Sequence, residues 1–349
     1  WYSSDGVTWT EATSSASWTA RYGHTSVVFD NKMWVIGGSS NGNKNDVWYS
    51  SDGVTWTEAT SSSSWIARYG HTSVAFGNDM WVLGGNGTYN GYDNKNDVWS
   101  ISAPNKITYT KDSPEISWDN NVLTIDPTDV FTRGSSIGVN LNQFAAAIDG
   151  AALSESTSYD FIISNDQLNV ITSPGDEVTD VALDSDITMA FSEFMDTIND
   201  WSVDVTETFS WLETTANASW SGRSLHSSVV FDNKMWVIGG ADGSAKNDVW
   251  YSSDGVTWTE ATSNALWSGR YGHSSVVFDN KMWVIGGLAG IYDKNDVWYS
   301  SDGITWTEVT PVGDMWSERN SHTSVVFDNK MWVIGGWDSN NYKNDVWYS

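Results

Sequence analysis

The sequence predicts an all-β chain: a five-bladed β-propeller interrupted by an inserted β-sandwich. Three observations carry that prediction. A unit of about 47 residues recurs five times, and each copy reads as four short strands divided by tight turns. One interval between copies is 108 residues longer than the rest, and the extra stretch has none of the repeat's signature.

Each unit runs Arg-x-x-His-x-Ser-Val, then Met-Trp-Val-(Ile/Leu)-Gly-Gly, then Asn-Asp-Val-Trp. In the first complete copy, His24 to Phe29 is β-branched and alternating, as a half-buried strand requires. Asp30-Asn31 suits a two-residue hairpin turn, because both residues tolerate positive φ. Lys32 to Ile36 is the second strand and ends at Gly37-Gly38; Asp46 to Tyr49 is the third. Asp52-Gly53 is the next tight turn, and Thr55-Trp56-Thr57 the fourth strand. The repeated basic residues are Arg21, His24, Arg68, His71, Arg223, His226, Arg270, His273, Arg319 and His322.

The Gly-Gly pair, the Trp downstream of it and the spacing resemble kelch repeats, over about residues 1–102 and 209–349. The turn Ser51-Asp52-Gly53-Val54-Thr55-Trp56 is similar to the Asp-box of sialidase-like propellers, one residue short. The kelch resemblance implies blades of four antiparallel strands around a channel. It also brings a copper enzyme to mind, the galactose-oxidase type, but that enzyme needs a Cys-linked Tyr and this chain has no Cys.

The missing Cys further excludes disulfides, Cys-ligated zinc, iron–sulfur clusters and a thiol nucleophile. No apolar run is long enough to span a bilayer as a helix. A formal charge of −27 opposes binding to nucleic acid. Trp is in excess, 24 residues, and the repeat explains it. Trp34, Trp48, Trp56 and Trp65 mark four positions per blade, so five blades use 20, as packing of sheets face to face demands.

The chain opens on a fourth strand, Thr8-Trp9-Thr10, and ends on a third, Asp345 to Ser349. The N-terminal strand is therefore expected to complete the last blade and close the ring without a covalent link. Trp1-Tyr2-Ser3 repeats Trp347-Tyr348-Ser349 and is surplus to that scheme. A longer repeat array, or a terminal strand paired with a neighbouring molecule, would account for it. The absence of an initiator Met and of a signal peptide suggests a processed or trimmed chain.

Residues 103–208 replace the Asp-Gly turn of the second blade and hold 19 acids against 3 bases, −16 of the total charge. Val122 to Ile125, Ser158 to Ile162 and Ile187 to Phe191 read as strands of a small sandwich. Ser173 to Asp184 and Phe191 to Asp196 resemble the opening half of bacterial Ig-like domains of surface-layer and adhesive proteins. Trp118 to Pro127 and Leu153 to Ile163 resemble the closing half. The order is reversed, as a circular permutation with adjacent new ends would give; a swap of halves between neighbours is the alternative.

No residue set suits catalysis. All five His lie in the repeat, and five identical sites point to a structural anchor, with each Arg held by acids such as Asp46 and Glu58. Asp176, Glu177, Asp180, Asp184 and Asp186 are dense enough to suggest Ca²⁺, without EF-hand spacing; no other metal or cofactor is implied. Variation concentrates between second and third strands, where Tyr89, Tyr92, Asp93, Tyr292, Asp293, Trp337, Asp338 and Tyr342 could stack on and hydrogen-bond to a sugar or a protein partner. The expected function is a non-enzymatic extracellular or cell-surface protein: a scaffold, adhesin, filament or surface-layer subunit, self-associating through its terminal strands or its insert. The alternative is a glycosidase-type enzyme using carboxylates among Asp93, Asp242, Asp293, Glu318 and Asp338. Deleting residues 1–13 is expected to lower the melting temperature sharply in calorimetry; an unchanged midpoint would mean that the first strand is unused or belongs to another chain.

Overall fold

The fold is that of a computed structural model. It describes residues 1–88, 93–102, 211–310 and 313–349. Between 103 and 210 it describes 106–110, 113–114, 116–119, 122–125, 136–141, 157–162, 178–179, 187–190 and 202–208. The chain divides into two compact units, Trp1–Ile101 with Trp211–Ser349, and Ser102–Ser210. Among the described residues no helix is long and apolar enough to cross a membrane.

Five blades make up the first unit. Blade 1 is β1 (Thr25–Phe29), β2 (Lys32–Ser40), β3 (Gly42–Ser50) and β4 (Thr57–Thr60), paired in that order. Blade 2 begins with β5 (Thr72–Phe76), β6 (Asp79–Asn86) and β7 (Asn94–Ser102). The second unit then intervenes with β8 (Lys106–Thr110), β9 (Ile116–Asp119), β10 (Val122–Ile125), β11 (Ser136–Leu141), β12 (Thr157–Ile162), β13 (Val178–Thr179), β14 (Ile187–Ala190) and β15 (Ser202–Thr208). These form a three-stranded sheet, β14-β10-β9, and a five-stranded sheet, β13-β12-β11-β15-β8. β16 (Leu212–Thr215) returns to pair with β7 and completes blade 2. Blade 3 is β17 (Ser227–Phe231), β18 (Lys234–Ile238), β19 (Val249–Ser252) and β20 (Thr259–Thr262). Blade 4 is β21 (Ser274–Phe278), β22 (Lys281–Ala289), β23 (Tyr292–Ser300) and β24 (Thr307–Glu308). Blade 5 has three strands, β25 (Thr323–Phe327), β26 (Lys330–Trp337) and β27 (Tyr342–Tyr348).

Local chemistry sets the turns. Asp30 and Asn31 have φ of 48° and 53°, and Asp232-Asn233, Asp279-Asn280 and Asp328-Asn329 repeat that left-handed pair. In the next turn Asp52 Oδ1 accepts the N–H groups of Val54 (2.8 Å) and Thr55 (2.7 Å), and Ser50 Oγ accepts that of Gly53 (2.8 Å). Asp5, Asp254 and Asp302 build the same turn. That turn takes up Thr55 and Trp56, so the fourth strand starts at Thr57, two residues later than the sequence pattern places it.

Each recurring Trp has its own role. On second strands, Trp34, Trp81, Trp236, Trp283 and Trp332 donate Nε1–H to the carbonyl that ends the first strand, at 2.8–3.0 Å. On third strands, Trp48 and its four counterparts donate to the Asp two residues earlier, at 2.8–2.9 Å. Trp18, Trp65, Trp220 and Trp267, ahead of the first strands, meet the Trp of the fourth-strand turn edge-on, with ring centroids 5.8–5.9 Å apart.

The expected closure does not form. Thr10 pairs with Tyr2, not with the last blade, giving residues 1–10 a small hairpin of their own. Tyr2 and Thr10 are the counterparts of Tyr49 and Thr57, the third- and fourth-strand partners of blade 1. Gly6 rests on the Trp332 ring, as Gly255 rests on Trp81 and Gly303 on Trp236, one blade back in each case. The hairpin thus follows blade 5 as the outer half of a further blade, and the fourth-strand position of blade 5 is unfilled among the described residues.

Close approach makes the Gly-Gly pair obligatory. Gly240 has φ of +94°, and a Cβ there would lie 2.6 Å from His226 Cβ and 2.9 Å from its Cα. Gly240→Ala combines backbone strain with overpacking and is expected to cost about 2–4 kcal/mol in urea denaturation.

Candidate binding face

The repeated Arg organises each blade. Arg68 is fully buried. Its Nη1 donates to Gly84 O (2.7 Å) and Asp97 Oδ1 (2.6 Å), its Nη2 to Asp97 Oδ2 (2.7 Å) and its Nε to Ile66 O (3.0 Å). Arg21–Asp46, Arg223–Asp248, Arg270–Asp296 and Arg319–Asp345 repeat the fork. Glu58 has no part in it: it stands exposed on β4 opposite Trp48. Burial would raise Asp248 and Asp296, but the hydrogen bonds and charge of the Arg together with the hydrogen bond from the third-strand Trp outweigh it and hold both carboxyls below their usual range.

The His residues link blades rather than line an open site. His71 Nε2 shares a hydrogen bond with Thr25 Oγ1 of the preceding blade (3.1 Å), and Thr72–His226 (2.9 Å), Ser227–His273 (2.8 Å) and Ser274–His322 (2.8 Å) follow the same rule. Burial first, then the neighbouring Arg, pushes His71 and His273 down to about 3 and His322 to about 4, with His226 also well below its usual value. They stay neutral at ordinary pH, so they carry no charge to hold an anion and are weak proton acceptors.

The variable segments converge on the end of the blades where the Arg-x-x-His turns lie. Bridges Tyr69↔Asn86, Ser224↔Ala241, Tyr271↔Leu288 and Asn320↔Trp337 tie each segment to its own turn. A cavity of about 450 Å³ opens there, lined by Tyr69, Asn86, Asn94, Leu225, Ser244 and Tyr271 among others. Tyr69 and Tyr271 are only half-buried. Sequence reasoning missed these two because they sit inside the repeated motif; the signal was there, since the residue after Arg reads Tyr, Tyr, Ser, Tyr and Asn in the five copies.

The residues singled out from the variable segments do not meet in one site. Tyr89 and Tyr92 lie outside the described residues. Asp93 pairs with Lys95 (2.8 Å). Tyr292 is exposed, while Asp293 is buried, accepting from Asn320 Nδ2 (2.6 Å) and from Ser339 Oγ. Trp337 and Tyr342 meet edge-on at 4.8 Å, with Tyr342 exposed, and Asp338 pairs with Lys343. Among the alternative's carboxylates, Asp242 pairs with Lys246 (2.7 Å) and Glu318 is exposed. Burial raises Asp242, but hydrogen bonds from Lys246 and Ser221 more than offset it and hold the carboxyl at about 2. In blade 5 the hydrogen bond from Lys343 lowers Asp338 in the same way. The acids Asp176, Glu177, Asp180, Asp184 and Asp186 lie outside the described residues, and among the described residues no three His, Asp or Glu side chains converge as a metal site would require.

Comparison with known families agrees with the geometry. Residues 192–349 match the KLHDC2/KLHL20/DRC7 Kelch-repeats domain, and residues 20–49 match the Kelch motif. No curated protein matches the chain. The repeats are kelch repeats, and their five blades form a β-propeller.

The buried His residues give stability a pH dependence of definite sign. Unfolded, each titrates near 6.5; folded, His71 and His273 stay neutral down to about 3 and His322 down to about 4, so the unfolded chain binds more protons in between. Their contribution is complete above the unfolded pKa and is lost as pH falls from there toward the folded value. Between pH 7 and pH 5, urea denaturation is expected to show a loss on the order of 2 kcal/mol per buried His, and His226→Gln should remove one share of that slope.

Proposed function

Starting from a five-bladed propeller of kelch repeats, we propose a non-enzymatic binding protein that acts outside the cell or at its surface, using the face built by the variable segments. The observation that carries this reading is the cavity of about 450 Å³ flanked by Tyr69 and Tyr271, with amide and hydroxyl groups from Asn94 and Ser244 beside them. Aromatic faces with neutral hydrogen-bonding groups suit a sugar or a polar loop of a protein. Hydrolysis of a glycoside needs a free carboxylate pair, one of them protonated. Here Asp93, Asp242 and Asp338 are paired with Lys, and Asp293 is held by Asn320 and Ser339.

The insert is read as an Ig-like domain in permuted order. Support comes from β8 and β15, which pair antiparallel with Lys106 opposite Thr206, so that the ends of the insert lie together as insertion into a hairpin turn requires. Its strong negative charge and the near-identity of the blades favour a surface scaffold or adhesin.

The test is a glycan array probed with the purified chain, beside Tyr69→Ala and Tyr271→Ala. Binding to a defined glycan class, weakened about tenfold by either variant, is the expected result. Release of sugar from glycoside substrates, abolished by Asp242→Asn, would overturn it.

A further inference from the structure

The residues that follow each repeated Arg form a row at the end of the blades that carries the variable segments. In blades 1, 2 and 4 the residue is a Tyr, namely Tyr22, Tyr69 and Tyr271, and in blade 5 it is Asn320. Each is fixed by the same backbone bridge to its own variable segment, Tyr22↔Ser39, Tyr69↔Asn86, Tyr271↔Leu288 and Asn320↔Trp337. The rings of Tyr22 and Tyr69, on adjacent blades, meet edge-on with centroids 6.2 Å apart. Blade 3 keeps the bridge, Ser224↔Ala241, but carries no ring: Ser224 holds the position between Tyr69 and Tyr271. The cavity of about 450 Å³ opens at that position, and all three residues line it.

Two further departures of blade 3 shape the same place. β18 stops at Ile238, whereas β2, β6, β22 and β26 run on to Ser40, Asn86, Ala289 and Trp337. The variable segment of blade 3 instead folds back at once, with Asp242 N–H donating to Ser244 O (3.2 Å), and the space beside Gly243 is open. Leu225 has a φ of +55° where blades 1, 2 and 4 have Gly23, Gly70 and Gly272. That conformation favours glycine, so a Leu holding it against strain sets an apolar side chain on the cavity wall. The wall carries no charged side chain, and the cations of the flanking segments, Lys95 and Lys246, are paired with Asp93 (2.8 Å) and Asp242 (2.7 Å). Asn94 donates Nδ2–H to Ala241 O (3.2 Å), and its buried Oδ1 accepts no hydrogen bond among the described residues. Asn43 has the same unused oxygen one blade back, where Tyr22 and Tyr69 stand together.

We infer that the gap left by Ser224 is a slot for one neutral pyranose residue of a glycan, seated between Tyr69 and Tyr271, and that Ser224 is the residue that opens it. The inference rests on the reading of this face as a binding surface and names what it takes. A pyranose has apolar C–H faces for the Tyr rings and Leu225, and hydroxyl groups around its edge. One of those hydroxyls donates to Asn94 Oδ1, which is otherwise left buried without a donor. An aromatic side chain of a protein partner would fill the same gap but brings at most one hydroxyl or N–H for a wall that also presents Ser224, Ser244 and Tyr271. An acidic sugar is excluded on charge: both neighbouring Lys are already paired, and the chain carries −27.

The experiment puts the ring back. Ser224→Tyr and Ser224→Ala are compared with the unmodified full chain on the glycan array, and bound glycan is competed with methyl pyranosides of neutral hexoses, with methyl glucuronide and with N-acetyltyrosinamide. Expected are competition by a neutral pyranoside alone, loss of affinity of about thirtyfold or more for Ser224→Tyr at an unchanged melting temperature, and a change within about threefold for Ser224→Ala. If Ser224→Tyr lowers the melting temperature, Ser224→Leu is measured in its place with the same expectation. Equal competition by the glucuronide, or undiminished binding by the filled variant, overturns the inference while leaving glycan recognition by this face standing. Competition by N-acetyltyrosinamide alone gives the slot to a partner's aromatic side chain and overturns it as well. Absence of any glycan binding by the unmodified chain defeats the glycan reading and this inference together.

Discussion

The fold depends on the buried guanidinium of each Arg-x-x-His motif. Removing such a charge from water costs several kcal/mol, and the cost is offset only where geometry and hydrogen bonding are close to ideal. Here each condition is met. Arg68 divides its donors among a bidentate Asp97, a Gly84 carbonyl and the Ile66 carbonyl, while Trp65 covers its face at 5.7 Å. One side chain thereby fixes the end of the second strand, the third strand and the connecting segment of its blade. The partner Asp in turn accepts from the third-strand Trp, which extends the same anchor across the sheet.

That anchor explains the glycines and the histidines around it. The Arg Nη1 can reach the carbonyl of Gly84 only where the chain turns sharply, and φ of +57° at Gly84 and +98° at Gly85 supply the turn. With no Cβ on Gly85, His71 of the same blade packs against its backbone, and its ring reaches back to Thr25 of blade 1. Intrablade order and interblade order are therefore set by adjacent residues. The arrangement requires a buried, neutral imidazole, and that requirement makes the stack acid-sensitive.

Much of the propeller was legible because its rules repeat. The Asp-Asn turns, the Gly pairs and the four Trp positions each recur at a fixed offset, so tertiary demands surface as local pattern. The fourth strand was misplaced by two residues because Thr55-Trp56-Thr57 alternates like a strand, while hydrogen bonds from Val54 and Thr55 to Asp52 commit those residues to the turn. The closure was misread for a different reason. Counting strands treats Thr8-Trp9-Thr10 as free to join any edge, but Tyr2 lies in register with Thr10 and a contiguous hairpin closes at far lower entropy cost than a distant pairing. The candidate binding face was the least legible part. Asp93, Asp293 and Asp338 look like ligands in the sequence, yet each is taken up by a nearby Lys, Asn or Ser.

The division of labour within the repeat follows from these contacts. Residues that form the anchor touch three segments at once, so none of them can vary without loss to the blade. The second-to-third strand segments begin beyond that anchor, and the tie that recurs from blade to blade is a backbone bridge to their own turn, as at Tyr271↔Leu288. A backbone bridge places no demand on side-chain identity. The frame therefore fixes where each segment stands and leaves its exposed side chains, such as Tyr292 and Tyr342, free to vary, which is the arrangement a recognition surface needs: a rigid support carrying exposed groups whose chemistry can change at little cost to the fold.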